Sequence, residues 1–140
     1  AEAWNEAEET PNEKVYDYLD QVRERAGLEG IKETYAKYAS AQYKDYPSHK
    51  SQMRDIIHRE RQVELSCEGS YYWDTRRWKT AEKELNRIVQ GWNVLNGETA
   101  EDYYIPTNIY NQQFTLRDYF APIPDGDIIR NPQLVQNPWW

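Results

Sequence analysis

Apolar residues recur at helical spacing over residues 1–90 and lose any period beyond them. Thr10-Pro11-Asn12-Glu13 reads as a helix start: Thr10 can cap, Pro11 fits the first helical position, and Glu13 completes a capping box. Val15, Tyr18, Leu19, Val22 and Ala26 then form one stripe, Gly27 supplies a left-handed stop, and Leu28 supplies the apolar contact behind it. Upstream, Ala1 to Glu9 reads as the end of another helix, so the pair predicts a hairpin of tetratricopeptide type. Ile31 to Tyr46 predicts a second, poorer helix with Ile31, Tyr35, Tyr38, Ala39 and Gln42 in its stripe, ended by Pro47. Ser48 can cap the next helix, which is expected to run to about Glu68. Gly69 interrupts it, and a further helix is expected from Tyr71 to about Val89, with Asp74, Trp78, Ala81, Leu85 and Ile88 facing inward.

From Trp92 to Trp140 neither period survives, and five prolines (Pro106, Pro122, Pro124, Pro132, Pro138) exclude long helices. The predicted class is therefore all-α: tetratricopeptide-like helical hairpins over 1–90, then a mostly irregular tail over 91–140. Such a tail is unusual inside a compact domain and makes sense wrapped over a larger body. The chain also opens already in helical pattern, so it is expected to be a fragment of a larger fold.

Charge changes this picture at one place. On the helix expected over 48–68, Met53, Ile56, Ile57, Val63 and Cys67 share a face, and Glu60 and Glu64 sit in the middle of it. Carboxylates aimed at an apolar interior need hydrogen-bonding cations. Arg76 and Arg77 stand just downstream, Gly69 lets the chain fold back, and a guanidinium can grip a carboxylate with two hydrogen bonds. The expectation is a structural ion-pair network of Glu60, Glu64, Arg76 and Arg77. The competing reading is a general acid and base, as in glycosidases. Two glutamates one turn apart and flanked by arginines make poor candidates for the separated protonation states that chemistry needs, so no catalytic residue is assigned.

Composition removes further classes. The net charge is -7 with both signs interspersed, and no basic stripe marks a nucleic-acid binder. The lone Cys67 cannot form an internal disulfide and, following Leu65 and Ser66 in helical pattern, is expected to be a buried inert thiol. His49 and His58 have no metal-ligand spacing, and no phosphate loop, nucleophile elbow or cofactor motif is present, so neither metal nor cofactor is expected. Aromatic residues are abundant, with six Trp, twelve Tyr and two Phe, in a chain of mean hydropathy -1.06. Trp92, Tyr103 and Tyr104 lie near Asn93, Asn96 and Asn108, the mixture of ring faces and amides that suits a sugar. They serve equally well to pack the tail onto the helices, and Tyr35 and Tyr38 are a further, more buried pair.

Three segments carry a family resemblance. Tyr18-Leu19-Asp20-Gln21-Val22-Arg23-Glu24-Arg25-Ala26-Gly27-Leu28 is similar to a YLNxVRxRAGL signature. Arg59-Glu60-Arg61, Glu64-Leu65, Glu68-Gly69, Tyr72-Trp73-Asp74 and Arg76-Arg77-Trp78 resemble an ER…EL…EG…(W/F)D…RRW pattern. Phe120-Ala121-Pro122-Ile123-Pro124 and Asn131-Pro132-Gln133-Leu134-Val135-Gln136-Asn137-Pro138 resemble a PIP…NPxLxQNPGW ending. In this order they resemble the C-terminal part of SusD/RagB outer-membrane nutrient-binding lipoproteins. Two departures stand out: the stretch from Gly30 to Pro47 is longer than the usual link, and Trp139 stands where glycine is typical. The resemblance implies a non-catalytic surface lipoprotein of Bacteroidetes that takes up a glycan or oligosaccharide with a SusC-like TonB-dependent transporter. It implies a membrane attachment only through a lipid anchor outside this chain, and no nucleic acid partner. Within the family a peptide ligand is the alternative; a tetratricopeptide-type protein-interaction adaptor is the alternative outside it. On this reading Trp92, Tyr103 and Tyr104 are the ligand-binding candidates.

Overall fold

The computed structural model describes residues 1–95 and 98–140. It is mainly helical, with one two-stranded sheet among the described residues. Two compact units divide the chain, Ala1–Tyr71 and Tyr72–Trp140.

In the first unit α1 (Glu2–Ala7), α2 (Glu13–Arg25), α3 (Ile31–Tyr38) and α4 (Lys50–Glu64) surround one core. The stripe on α2 is rotated from the expected one: Val15, Tyr16 and Leu19 are buried, whereas Tyr18 is about half exposed. Ile31 from α3 and Met53, Ile56 and Ile57 from α4 complete the cluster. Val15, Ile31 and Met53 are wholly buried, and each such side chain contributes about 1.5–3 kcal/mol. Tyr16 Oη donates to the Pro47 carbonyl at 2.8 Å, which ties α2 to the short 3-10 turn Tyr46–Ser48. Lys50 clamps α1 onto α4, because its Nζ donates to the Glu6 and Glu8 carbonyls at the open end of α1. Arg54 adds a two-pronged grip on the Glu6 carboxylate at 2.7 and 2.6 Å, which holds that carboxyl below its usual range.

Several local expectations are corrected here. Asn12, not Thr10, caps α2, its side chain accepting from the Val15 N–H. Gly27 does take the left-handed turn (φ 73°), and the bonds from Gly27 N to Glu24 O and from Leu28 N to Arg23 O close the helix. The helix from Ile31 ends at Tyr38 and is followed by 3-10 turns instead of continuing to Tyr46. Its start is capped from a distance, by Asp20 Oδ1 accepting from the Ile31 N–H at 2.8 Å. On α4, which ends at Glu64, Val63 is exposed, and Cys67 is an exposed residue in a left-handed turn (φ 68°) rather than a buried thiol. The helix stops before Cys67 can reach the apolar face.

The second unit holds most of α5 (Ser70–Arg77), then α6 (Ala81–Leu85), β1 (Arg87–Trp92), α7 (Ala100–Tyr103), β2 (Pro106–Gln112) and α8 (Asp125–Arg130). The expected helix to Val89 breaks in two places. Lys79 adopts the left-handed conformation (φ 57°) after α5, and the chain becomes extended from Arg87. Asp74 and Ala81 are buried as their pattern predicts, but Ile88 is exposed on a strand. β1 and β2 pair antiparallel from Arg87↔Gln112 to Trp92↔Pro106, with a bulge between Val89 and Gln90. So the tail is less irregular than its proline content indicates.

Carboxamides organise what remains. Asn86 Oδ1 accepts from the Phe114 N–H at 2.6 Å while its Nδ2 donates to the Phe114 carbonyl at 3.0 Å. Gln136 treats Ile123 the same way, at 2.8 and 2.9 Å, and Asn137 Nδ2 donates to the Ala121 carbonyl at 2.6 Å. In each case one side chain satisfies the backbone that a neighbouring strand would otherwise satisfy.

Candidate functional site

Glu60 and Glu64 are answered from α2. Arg23 Nη1 donates to Glu60 Oε1 at 2.5 Å, its Nη2 to Thr34 Oγ1 at 2.8 Å, and its Nε to the Glu29 carbonyl at 2.8 Å. One guanidinium thus joins α2, α3 and α4. The Arg23 side chain is 10% exposed and that of Glu60 26%. Burial, and then the Glu60 charge, push the Tyr35 phenol above its usual value beside this knot. Arg25 pairs with Glu64 at the rim, with side chains 68% and 37% exposed.

Within their own unit Glu60 and Glu64 thus pair with Arg23 and Arg25, partners that the sequence reading did not name. Arg77 Nη2 donates to Asp74 Oδ1 at 3.0 Å, within α5. Arg76 donates to the Tyr72 carbonyl and lies over the Tyr72 ring at 3.5 Å. The sequence does contain the sign of Arg23: it continues the Val15, Leu19 spacing by one more helical turn, so a cation stands on the buried stripe of α2 just as Glu60 does on that of α4. Reading the two helices separately hides that match.

The three aromatic candidates come together at the loop end of the hairpin, where Trp92 pairs with Pro106. The Trp92 and Tyr104 rings meet edge to face at 5.5 Å, and Tyr103 meets Tyr104 in the same way at 5.2 Å. Trp92 is 51% exposed and Tyr104 63%, while Tyr103 is half-buried. Thr99 caps α7 by accepting from the Asp102 N–H, and the Asn93 N–H donates to the Tyr103 carbonyl at 3.1 Å, which fixes where the tyrosines stand. On the same face of the sheet as Trp92, Gln90 Nε2 donates to Asn108 Oδ1 at 2.9 Å. Asn93 is spent on the Asp102 carbonyl, so it supports the cluster without lining it. Asn96 lies outside the described residues. At Gly91 a Cβ would stand 2.6 Å from Ile109 Cδ1, so a larger residue there would make the Ile109 side chain turn aside.

The end of the chain explains the departure at Trp139. Its backbone is left-handed (φ 68°), the conformation that glycine adopts without penalty and any other residue adopts at about 1–2 kcal/mol. Trp140 secures the turn, its Nε1 donating to the Arg117 and Phe120 carbonyls at 3.1 and 2.8 Å under the Arg117 guanidinium.

The chain is thus mainly helical, with one aromatic and amide-bearing hairpin among the described residues. The model of the SusD family matches residues 1–140, and the chain belongs to that family. The SusD-like protein P2 of Formosa agariphila is 29% identical over 137 residues, which are 98% of this chain and 22% of that protein. A solved protein named BT4246 superposes with a TM-score of 0.70 at 30% identity, over 89% of this chain and 19% of its own. A SusD-like protein of Bacteroides fragilis superposes with a TM-score of 0.66 over 89% of this chain and 21% of its own; at 21% identity it speaks for the fold alone. The chain thus spans about a fifth of the length of the relatives it matches.

Proposed function

We propose that this chain is the scaffold portion of a non-catalytic surface lipoprotein that captures a glycan or oligosaccharide and passes it to a SusC-like TonB-dependent transporter in the outer membrane. Family membership supports the class. The observation that carries a ligand role within this chain is the exposed Trp92–Tyr104 pair beside the Gln90–Asn108 amides. Ring faces accept the C–H surface of a pyranose, and amides accept and donate to its hydroxyls. Tyr103 acts from behind, holding Tyr104 in place. No acid and base pair offers itself at Glu60 and Glu64, because each carboxylate is gripped by an arginine. The peptide-binding alternative draws support from the hairpin, whose two strands have only each other as partners among the described residues, so an extended peptide could add to an edge.

The test is affinity electrophoresis and titration calorimetry on the protein that carries this chain, with a panel of neutral polysaccharides and with peptides. Trp92→Ala and Tyr104→Ala are each expected to weaken glycan binding about tenfold, the value of one good stacking contact, with an unchanged melting temperature. Binding that survives both changes removes the hairpin from the site. Retention of peptides and of no glycan favours the alternative.

A further inference from the structure

We propose that a second carbohydrate site, selective for acidic sugars, lies at the end of the chain, built by Arg76, Lys79, Glu82, Tyr119, Phe120 and Trp139. These residues line a hollow of about 480 Å³. The inference rests on the glycan reading above and extends it to a different place and a narrower substrate class.

Three independent features converge here. The first is ring surface. Phe120 and Trp139 stand 6.1 Å apart with their planes tilted by 37°, an open wedge rather than a packed edge-to-face pair. Trp139 is 62% exposed, and it also lines the adjoining hollow of about 410 Å³ beside Glu82 and Leu116. The second is charge. Among the described residues the Lys79 ammonium has neither a hydrogen bond nor an ion pair. Arg76 spends one donor on the Tyr72 carbonyl and is held in place by the Tyr72 ring. Its field also reaches Asp118, whose carboxylate is already engaged by Thr115. Two cations beside exposed rings answer a sugar that carries a carboxylate or a sulfate, and Glu82 is left to accept from a hydroxyl. The third is backbone conformation. Of the three residues other than glycine with left-handed φ in the described chain, Lys79 and Trp139 both line this hollow. Each strained position places a ligand-competent side chain on the wall, and strain of this kind gathers at binding sites.

The strain supplies an unusually clean test. Glycine takes a left-handed backbone freely, so Trp139→Gly and Lys79→Gly should leave the melting temperature unchanged or raise it while removing the ring and the cation. In the protein that carries this chain, titration calorimetry with an oligogalacturonate is expected to show binding that weakens as salt rises. Either substitution should cost about tenfold or more in affinity. Equal affinities for native protein and both variants would overturn the proposal. So would a fall in melting temperature for Trp139→Gly, since the indole would then be packing against protein rather than facing a ligand. Binding of any neutral polysaccharide of the panel above without binding of the oligogalacturonate overturns this site alone; binding of neither the oligogalacturonate nor any member of that panel overturns the glycan reading as well.

Discussion

Replacing Arg23 by alanine removes a side chain that touches Glu60, Thr34 and the Glu29 carbonyl together. Three acceptors lose a donor at once, and the Glu29 carbonyl keeps only the Thr34 hydroxyl at 3.2 Å. A hydrogen bond involving a charged group is worth about 1.5–3 kcal/mol, and breaking a buried ion pair from one side costs about 3–5 kcal/mol. Glu60 keeps 26% of its side chain in solvent, so water can replace part of what it loses, and the expected cost is about 3 kcal/mol, at the low end of that range. Arg25→Ala provides the internal comparison. Its pair with Glu64 is made between side chains 68% and 37% exposed, so that substitution should cost below about 1 kcal/mol. Arg23→Lys should not rescue the loss, because a single ammonium cannot present three donors in the fixed directions of a guanidinium. The assay is urea unfolding of the protein that carries this chain, followed by tryptophan fluorescence, with a double-mutant cycle on Arg23 and Glu60. A coupling energy of about 1.5–3 kcal/mol is expected from the cycle. Equal costs for Arg23→Ala and Arg25→Ala, or a coupling near zero, would refute the claim that Arg23 ties the helices together.

Two further outcomes follow from the first unit. Burial raises the Tyr16 and Tyr35 phenols above their usual value of 10.0, so the fold favours their neutral forms. Their contribution is complete below about pH 10, where both states are neutral, and declines as pH rises through the raised folded values while the unfolded chain ionises. The urea midpoint should therefore fall on the alkaline side, and a flat midpoint up to the point where the folded phenols titrate would contradict this. At Gly30 a Cβ would stand 2.9 Å from Asp20 Oδ2, the carboxylate that caps α3. Gly30→Ala should cost about 1 kcal/mol, the value of a lost cap, and speed exchange of the Ile31 amide. In an Asp20→Ala background the same substitution should be harmless; an undiminished cost there would place the conflict elsewhere.

How far the sequence alone reaches depends on the range of the interaction involved. Gly27 and the inward Met53, Ile56 and Ile57 are legible because glycine's backbone freedom and helical periodicity act over a few residues. The partners of Glu60 and Glu64 are not, because Arg23 and Arg25 lie 37 and 39 residues away and become neighbours only when α2 packs beside α4. The Arg-Arg pair at positions 76 and 77 is nearer in sequence and has the right charge, which is why local reasoning selects it. Strand β1 is missed for a different reason. Arg87 to Trp92 is extended because it has a partner in Pro106 to Gln112, and nothing within the segment announces that partner. The aromatic cluster was legible as a group of residues, but the edge-to-face geometry that half-buries Tyr103 and exposes Tyr104 required the hairpin.

The carboxamide pairing of the tail also bears on how the protein behaves among copies of itself. Phe120, Ile129, Leu134, Val135 and Trp139 are all exposed, a concentration of apolar surface that would invite aggregation in an extended strand. Here the backbone of Phe114, Ala121 and Ile123 is occupied by Asn86, Asn137 and Gln136 side chains instead of by a ladder. A carboxamide ends the pairing where it begins: it satisfies one residue and offers no continuing row of N–H and C=O groups to a second molecule. With Pro122, Pro124, Pro132 and Pro138 interrupting the stretches between, the tail can present aromatic rings to a ligand without presenting a template for self-association.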